Sequence, residues 1–123
     1  MRSYARNGVV FAVIAVAVAG CRSRPPVPVP GGNAKRGAQS IAAMGCGACH
    51  RISGIAGASG LVGPPLEDIA LRGIIAGELA NTPENMVRWI RDPQSVTPGN
   101  AMPNLGIDDQ TARDITAYLY SQH

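Results

Sequence analysis

Two of the chain's three cysteines and one of its two histidines stand in five consecutive residues, Cys46-Gly47-Ala48-Cys49-His50. Two thiols three positions apart can each bond one vinyl group along one edge of a porphyrin. The histidine that follows can then turn its imidazole to the iron from the same side. This is the spacing of covalent c-type haem attachment, and the small Gly47 and Ala48 leave the ring free to approach. Two other chemistries use a CxxC pair. A structural zinc site wants a second cysteine pair, and only Cys21 remains. A thioredoxin-like dithiol wants a strand before the motif and a long helix after it, whereas "ISGIAGASGLVG" follows here, too rich in glycine for that helix. The motif therefore predicts one covalently bound haem c on Cys46 and Cys49, with His50 as an iron ligand.

The opposite face of the iron has four candidate ligands: His123, Met44, Met86 and Met102. His123 is the last residue, where chains fray. Met44 is too close to Cys46 to cross to the other face. Met86 lies in "TPENMVRWI", a strong helical pattern in which methionine is usually core filler. Met102 lies in "PGNAMPNLG", a loop stiffened by Pro98 and Pro103, and 52 residues separate it from His50. That length of chain can return over the far face, and Met102 is the expected second ligand.

The elements that must position these groups are helical. Ala34 to Met44 reads as the first helix. Gly37 costs it about 1 kcal/mol relative to alanine, and a glycine there allows a second helix to come close. The last helix runs from Asp108 to Ser121, with Asp108 as N-cap and Ala112, Ile115, Tyr118 and Leu119 on one face. Gly37 and Ile41 are expected to cross over Tyr118. Between the terminal helices, Thr82 caps a helix with Pro83 at its first position, which stops at Asp92 because Pro93 follows. Leu66 to Arg72, "LEDIALR", reads as a short helix. No strand pattern has weight, and the fold class is all-α.

Composition sets the limits. Gly and Pro together make 25 of 123 residues and aromatics only 4%, so a domain of this size builds a weak core unaided. The formal charge of +3 overstates the basicity of the folded part. From Asn33 onward seven basic residues face eight acidic ones, and no basic patch points to nucleic acid.

The first residues read as an address. "MRSYARNG" is basic and free of acids, and "VVFAVIAVAVAG" is too short for a membrane span of roughly 20 residues. It fits the apolar region of a secretory signal. "VAGC", ending at Cys21, resembles the lipobox of bacterial lipoproteins. That resemblance implies residues 1–20 as signal peptide and Cys21 as a lipidated N-terminus. An uncleaved signal anchor is the alternative, and either leaves the rest exported and membrane-attached. "RSRPPVPVPGG" follows to Gly32, a linker that extends roughly 30 Å if it adopts polyproline II, or is simply disordered.

From Asn33 to the end, residues 33–123, the chain resembles a class I cytochrome c. The elements come in family order: a first helix with Gly37, CxxCH at 46–50, "GPPL" at 63–66, a methionine loop, and a last helix with Tyr118 and Leu119. The words "NTPEN", "RWIRDPQ" and "PGNAMP" are similar to the cytochrome c domain fused to subunit II of certain bacterial haem-copper oxidases. The copper domain and membrane helices of that subunit have no counterpart here, and Ile41 replaces the aromatic often found in the family's first helix. The resemblance implies three to five short helices wrapped around one haem c. It implies that the Pro64 carbonyl accepts a hydrogen bond from His50, that Leu66 packs on the haem, and that Arg72 and Trp89 meet its propionates. A solvated charge for Arg72 and plain core packing for Trp89 remain open.

A haem with both axial positions filled passes single electrons and offers no site for a small-molecule substrate. The expectation is a lipid-anchored electron carrier of the bacterial periplasm, in a respiratory chain between an upstream donor complex and a haem-copper oxidase. A fixed subunit of an oxidase or dehydrogenase complex is the second reading. A small haem peroxidase or gas-binding protein is the third, and it requires Met102 off the iron.

Overall fold

The computed structural model describes residues 26–122. The expected signal peptide, Cys21, the first part of the linker and His123 lie outside the described residues. Four α-helices are present among those described: α1 (Ala34–Ala43), α2 (Pro83–Arg91), α3 (Pro93–Val96) and α4 (Asp109–Ser121). Each longer helix starts on a side chain that accepts from its open backbone N–H groups. Asn33 accepts from Arg36, Thr82 from Asn85, and Asp108 from Thr111. Asp92 closes α2 and opens α3, its carboxylate accepting from the Ser95 N–H.

α1 packs across α4, and α2 packs on α4 from another side. Ile41, Ile69, Ile75, Ile90, Ile115, Leu119 and Tyr120 form the centre of the core, with Met86 and Val87 from α2. The closest approach of α1 and α4 lies about a turn earlier on α4 than Tyr118. A Cβ at Gly37 would stand 1.9 Å from the Asp114 carbonyl oxygen and 3.0 Å from the Ile115 nitrogen. Tyr118 instead reaches the loop after the CxxCH motif, where its hydroxyl donates to the Ser53 carbonyl at 2.7 Å.

Asp114 locks this crossing. It is buried, accepts from the Asn33 backbone N–H at 2.8 Å, and takes two bonds from the Arg36 guanidinium at 2.7 and 3.0 Å. Those bonds, Arg36 first, hold its carboxyl below the usual carboxylate range against the opposing effect of burial. A depressed folded value means that the contribution to stability is complete above about pH 4 and is lost as the pH falls through the lowered value.

The end of the linker belongs to the folded body. Val29 is buried and Val27 packs partly against the core. The Gly31 carbonyl accepts from Gln110 at 2.8 Å, and the Gly32 N–H donates to the Val29 carbonyl at 3.0 Å. Val27 to Gly32 of the expected linker are therefore held by the domain and are not free spacer.

Two expectations about the middle of the chain are corrected. "LEDIALR" is not a helical run; only Ile69–Leu71 forms a 3₁₀ turn. Asp68 sits at φ +54°, a left-handed conformation that breaks a right-handed helix. A short antiparallel pair is also present, β1 (Ile74–Ile75) against β2 (Leu79–Ala80). Its turn puts Ala76 and Gly77 at φ +55° and +74°, the pair of positive angles that matches the twist of a tight hairpin. Two residues a side are too few for an alternating pattern to be legible.

Candidate functional site

Gly45, at φ +71°, turns the chain out of α1 and into a 3₁₀ turn over Cys46–Ala48. Residues three apart eclipse in such a turn, which sets Cys46 and Cys49 one above the other. The His50 N–H closes on the Cys46 carbonyl at 3.0 Å. Both thiols are unbridged, Cys46 half-buried and Cys49 exposed. Burial pushes the Cys46 thiol up. No long helix follows the motif before Pro83, whereas the thioredoxin-like alternative wants one directly after it.

A glycine loop wraps the motif where side chains would not fit. A Cβ at Gly47 would stand 2.6 Å from Ala58, and one at Gly60 2.4 Å from the Ala48 carbonyl. The Gly60 and Gly63 N–H groups donate to the Gly47 and Cys49 carbonyls at 3.0 and 2.8 Å. Gly63 lies against the His50 ring, 2.3 Å from Cε1 for any added Cβ. His50 Nδ1 is 2.8 Å from the Pro64 carbonyl oxygen. A carbonyl only accepts, so Nδ1 carries the ring hydrogen and Nε2 keeps its lone pair for a metal.

The "GPPL" turn is held from two sides. The Leu66 N–H donates to the Arg51 carbonyl at 2.8 Å, and Leu66 packs partly buried against the core. Arg72 Nη2 donates to the Pro65 carbonyl at 2.5 Å and to the Glu67 carbonyl at 3.3 Å. Arg72 is thus a clamp on this turn and not a freely solvated charge. Trp89 is partly buried against the core.

Met102 lies partly buried in a loop fixed by two side-chain amides that sequence reasoning gave no role. Gln94 Nε2 donates to the Asn100 and Met102 carbonyls at 3.0 and 2.8 Å, and its oxygen accepts from the Gly99 N–H at 2.9 Å. Asn100 accepts from the Met102 N–H at 2.7 Å and donates to the Pro93 and Thr97 carbonyls at 3.0 and 2.6 Å. These bonds run within the segment 93–102, and none joins Met102 to the segment 46–66 among the described residues. Met86 is core, 4% exposed. Met44 ends α1.

The residues present fit haem c. Two unbridged thiols on one turn can form thioethers, and an imidazole with a fixed tautomer can reach iron. Leu61, Val62, Leu71, Ile74 and Leu105 add apolar side chains that the protein's own core does not bury. The cytochrome c family profile matches residues 34–123. The chain belongs to the cytochrome c family. This cytochrome c is an electron-transfer haem protein with haem c bound covalently at the CxxCH motif. It is 37% identical over 89 residues to cytochrome c oxidase subunit 2 of Alkalihalophilus pseudofirmus strain OF4, a match covering 72% of this chain and 25% of that one. It is 35% identical over 92 residues to cytochrome c oxidase subunit 2 of Bacillus sp. strain PS3, covering 72% and 26%. The chain spans about a quarter of the length of these relatives. Among the described residues no helix is long and apolar enough to cross a membrane.

Proposed function

We propose that this cytochrome c is a single-haem electron carrier of the bacterial periplasm, lipid-anchored at Cys21, that takes electrons from an upstream donor complex and delivers them to a haem-copper oxidase. In this reading His50 and Met102 are the two iron ligands. The observation that carries it is the state of His50, with its ring against Gly63 and its Nδ1–H on the Pro64 carbonyl. Bound haem supplies a one-electron couple, of high potential when methionine stands opposite histidine. The chain's residues supply the rest. Pro64 fixes the orientation of His50 and raises its basicity. Gln94 and Asn100 hold the backbone on both sides of Met102, so the thioether comes from a rigid loop. Leu66 would pack on the haem, and Trp89, partly buried against the core, would meet its propionates. Arg72 has donors beyond the one spent on Pro65 and Glu67, and these would be available to the propionates.

Ligands on both sides leave no position for a small-molecule substrate, which favours a carrier over a peroxidase or gas-binding protein. Reduced wild type is therefore expected not to take up carbon monoxide, while Met102→Ala takes it up readily and has a lower potential. Equal uptake by both, read from the visible spectrum, would remove Met102 from the iron and the carrier reading with it.

The likeness to relatives named cytochrome c oxidase subunit 2 supports an oxidase as the acceptor. It also supports the second reading, a fixed subunit of such a complex. Charge argues about how the partners meet. With seven basic and eight acidic residues from Asn33 onward, long-range steering is weak. The nearly uncharged loop "SVTPGNAMPNLG" around Met102 offers a lightly polar contact in its place. A tether substitutes for steering by raising the local concentration of partners. Stopped-flow oxidation of the reduced protein by oxidase-containing membranes should depend little on salt and fall about tenfold or more when Cys21→Ser releases it from the bilayer. A steep fall with salt, equal in both forms, would defeat the anchored-carrier reading.

A further inference from the structure

We propose that Asn81 and Tyr120 are positioning residues for the haem's histidine side, acting on His50 through Arg72 and the Pro64–Glu67 turn. The chain of contacts is continuous. The Tyr120 hydroxyl, on the last turn of α4, donates to Asn81 Oδ1. Asn81 Nδ2 donates to the Ile69 carbonyl at 2.7 Å and to the Arg72 carbonyl at 2.8 Å. The Asn81 backbone N–H adds a bond to the Gly73 carbonyl at 3.0 Å. Arg72 then spans back to the Pro65 and Glu67 carbonyls, next to the Pro64 carbonyl that holds His50 Nδ1.

The residue types are those the task requires. A primary amide can donate twice and accept once from a single planar group. No carboxylate or apolar side chain can do both. Tyr120 is 1% exposed, and burial pushes its hydroxyl up to about 12. It is therefore a neutral donor at any physiological pH. Asn81 stands just before the Thr82 cap of α2, so the same residue ties α4, the 3₁₀ turn and the start of α2 to one point.

The consequence is electronic as well as structural. A carbonyl held firmly on Nδ1–H keeps the imidazole a strong donor, which favours the oxidised iron. If the turn loosens, the hydrogen bond weakens and the potential rises.

The test uses the haem-loaded protein and neutral variants. Tyr120→Phe removes one hydroxyl and keeps the buried ring. Asn81→Leu removes all three side-chain bonds. Arg72→Lys keeps the charge but shortens the side chain, drawing its nitrogen back from the two carbonyls that Nη2 bridges. Each should raise the midpoint potential and speed solvent exchange of the His50 Nδ1–H, seen by NMR, about fivefold, the factor expected for one weakened hydrogen bond. The Asn81→Leu/Arg72→Lys double variant should go no further than the larger single effect, because both act through one turn. Wild-type potential and exchange in Tyr120→Phe and Asn81→Leu would overturn the proposal, as would full additivity in the double variant. The inference rests on His50 as the iron ligand. An oxidised wild type whose His50 ring signals show no paramagnetic shift would overturn that reading itself, and this one with it.

Discussion

Gly37→Ala should lower the melting temperature of the haem-loaded protein by about 8–16 °C, although alanine is the better helix former. Propensity alone favours the substitution by about 1 kcal/mol. The contact opposes it. The new Cβ would fall 1.9 Å from the Asp114 carbonyl oxygen and 2.5 Å from its carbonyl carbon, both backbone atoms inside α4 that cannot rotate aside. The helices must part, and parting them pulls Asn33 and Arg36 away from the Asp114 carboxylate, the contact that joins the two ends of the domain. Overpacking costs about 1–3 kcal/mol, with the upper end expected where backbone meets backbone, and each kcal/mol moves the melt of a domain this size by about 4–8 °C. A thermal melt followed by far-ultraviolet circular dichroism decides the sign. A variant that melts at or above the wild-type temperature would show that the crossing is not fixed at Gly37.

That crossing also marks where sequence stops being informative. The motif at 46–50, the Thr82–Pro83 start of α2, the Asp92–Pro93 break and the Asp108 cap were legible because each is decided by neighbours a few residues away. That Gly37 admits a partner helix was legible too. Which residue of α4 it admits was not, because a one-turn slide keeps the same apolar face inward. The docking of Val27 and Val29 had no local signal, since a Pro-rich segment reads as linker whether or not a surface takes its valines. In the middle of the chain the periodic look of "LEDIALR" misled. Asp68 in a left-handed conformation and the Arg72 clamp on Pro65 and Glu67 impose a turn that no helical pattern announces.

The candidate site divides along the same line. Cys46, Cys49 and His50 are contiguous, and their chemistry can be read from spacing alone. The residues that hold the site are scattered. Gln94 in α3 and Asn100 in the loop that follows both precede Met102, and the amide pair in "PQSVTPGN" was the available clue, though nothing in the sequence gave the direction of the bonds. Asn81 and Tyr120 are 39 residues apart, and no periodicity links an asparagine before one helix to a tyrosine ending another.

Replacing Cys46 and Cys49 together with alanine should abolish the cooperative melt while leaving part of the helix signal. The two halves of the domain are built differently. The terminal half has a framework of its own: α1 fitted to α4 at Gly37, a buried carboxylate joining them, and Ile41, Ile115 and Leu119 beneath. The half from Gly45 to Ala80 has two 3₁₀ turns of three residues each and one two-residue ladder as its regular structure. It also carries Leu61, Val62, Leu71 and Ile74, each at least 49% exposed. An apolar side chain contributes about 1.5–3 kcal/mol when buried, so covering even two or three of these against haem matches a large share of the total stability of a small domain, about 5–15 kcal/mol. Covalent attachment also keeps the haem from dissociating when this half opens, a contribution that non-covalent binding through His50 alone would not make. The double variant should therefore keep some α1–α4 helicity, lose hydrogen-exchange protection at Ile52, Gly60, Gly63 and Leu66, whose amides close the haem-side loop, and melt without a clear transition. Full native helicity with a cooperative transition, in protein shown by its absorption spectrum to be free of haem, would mean that the chain folds on its own and that the haem only decorates it.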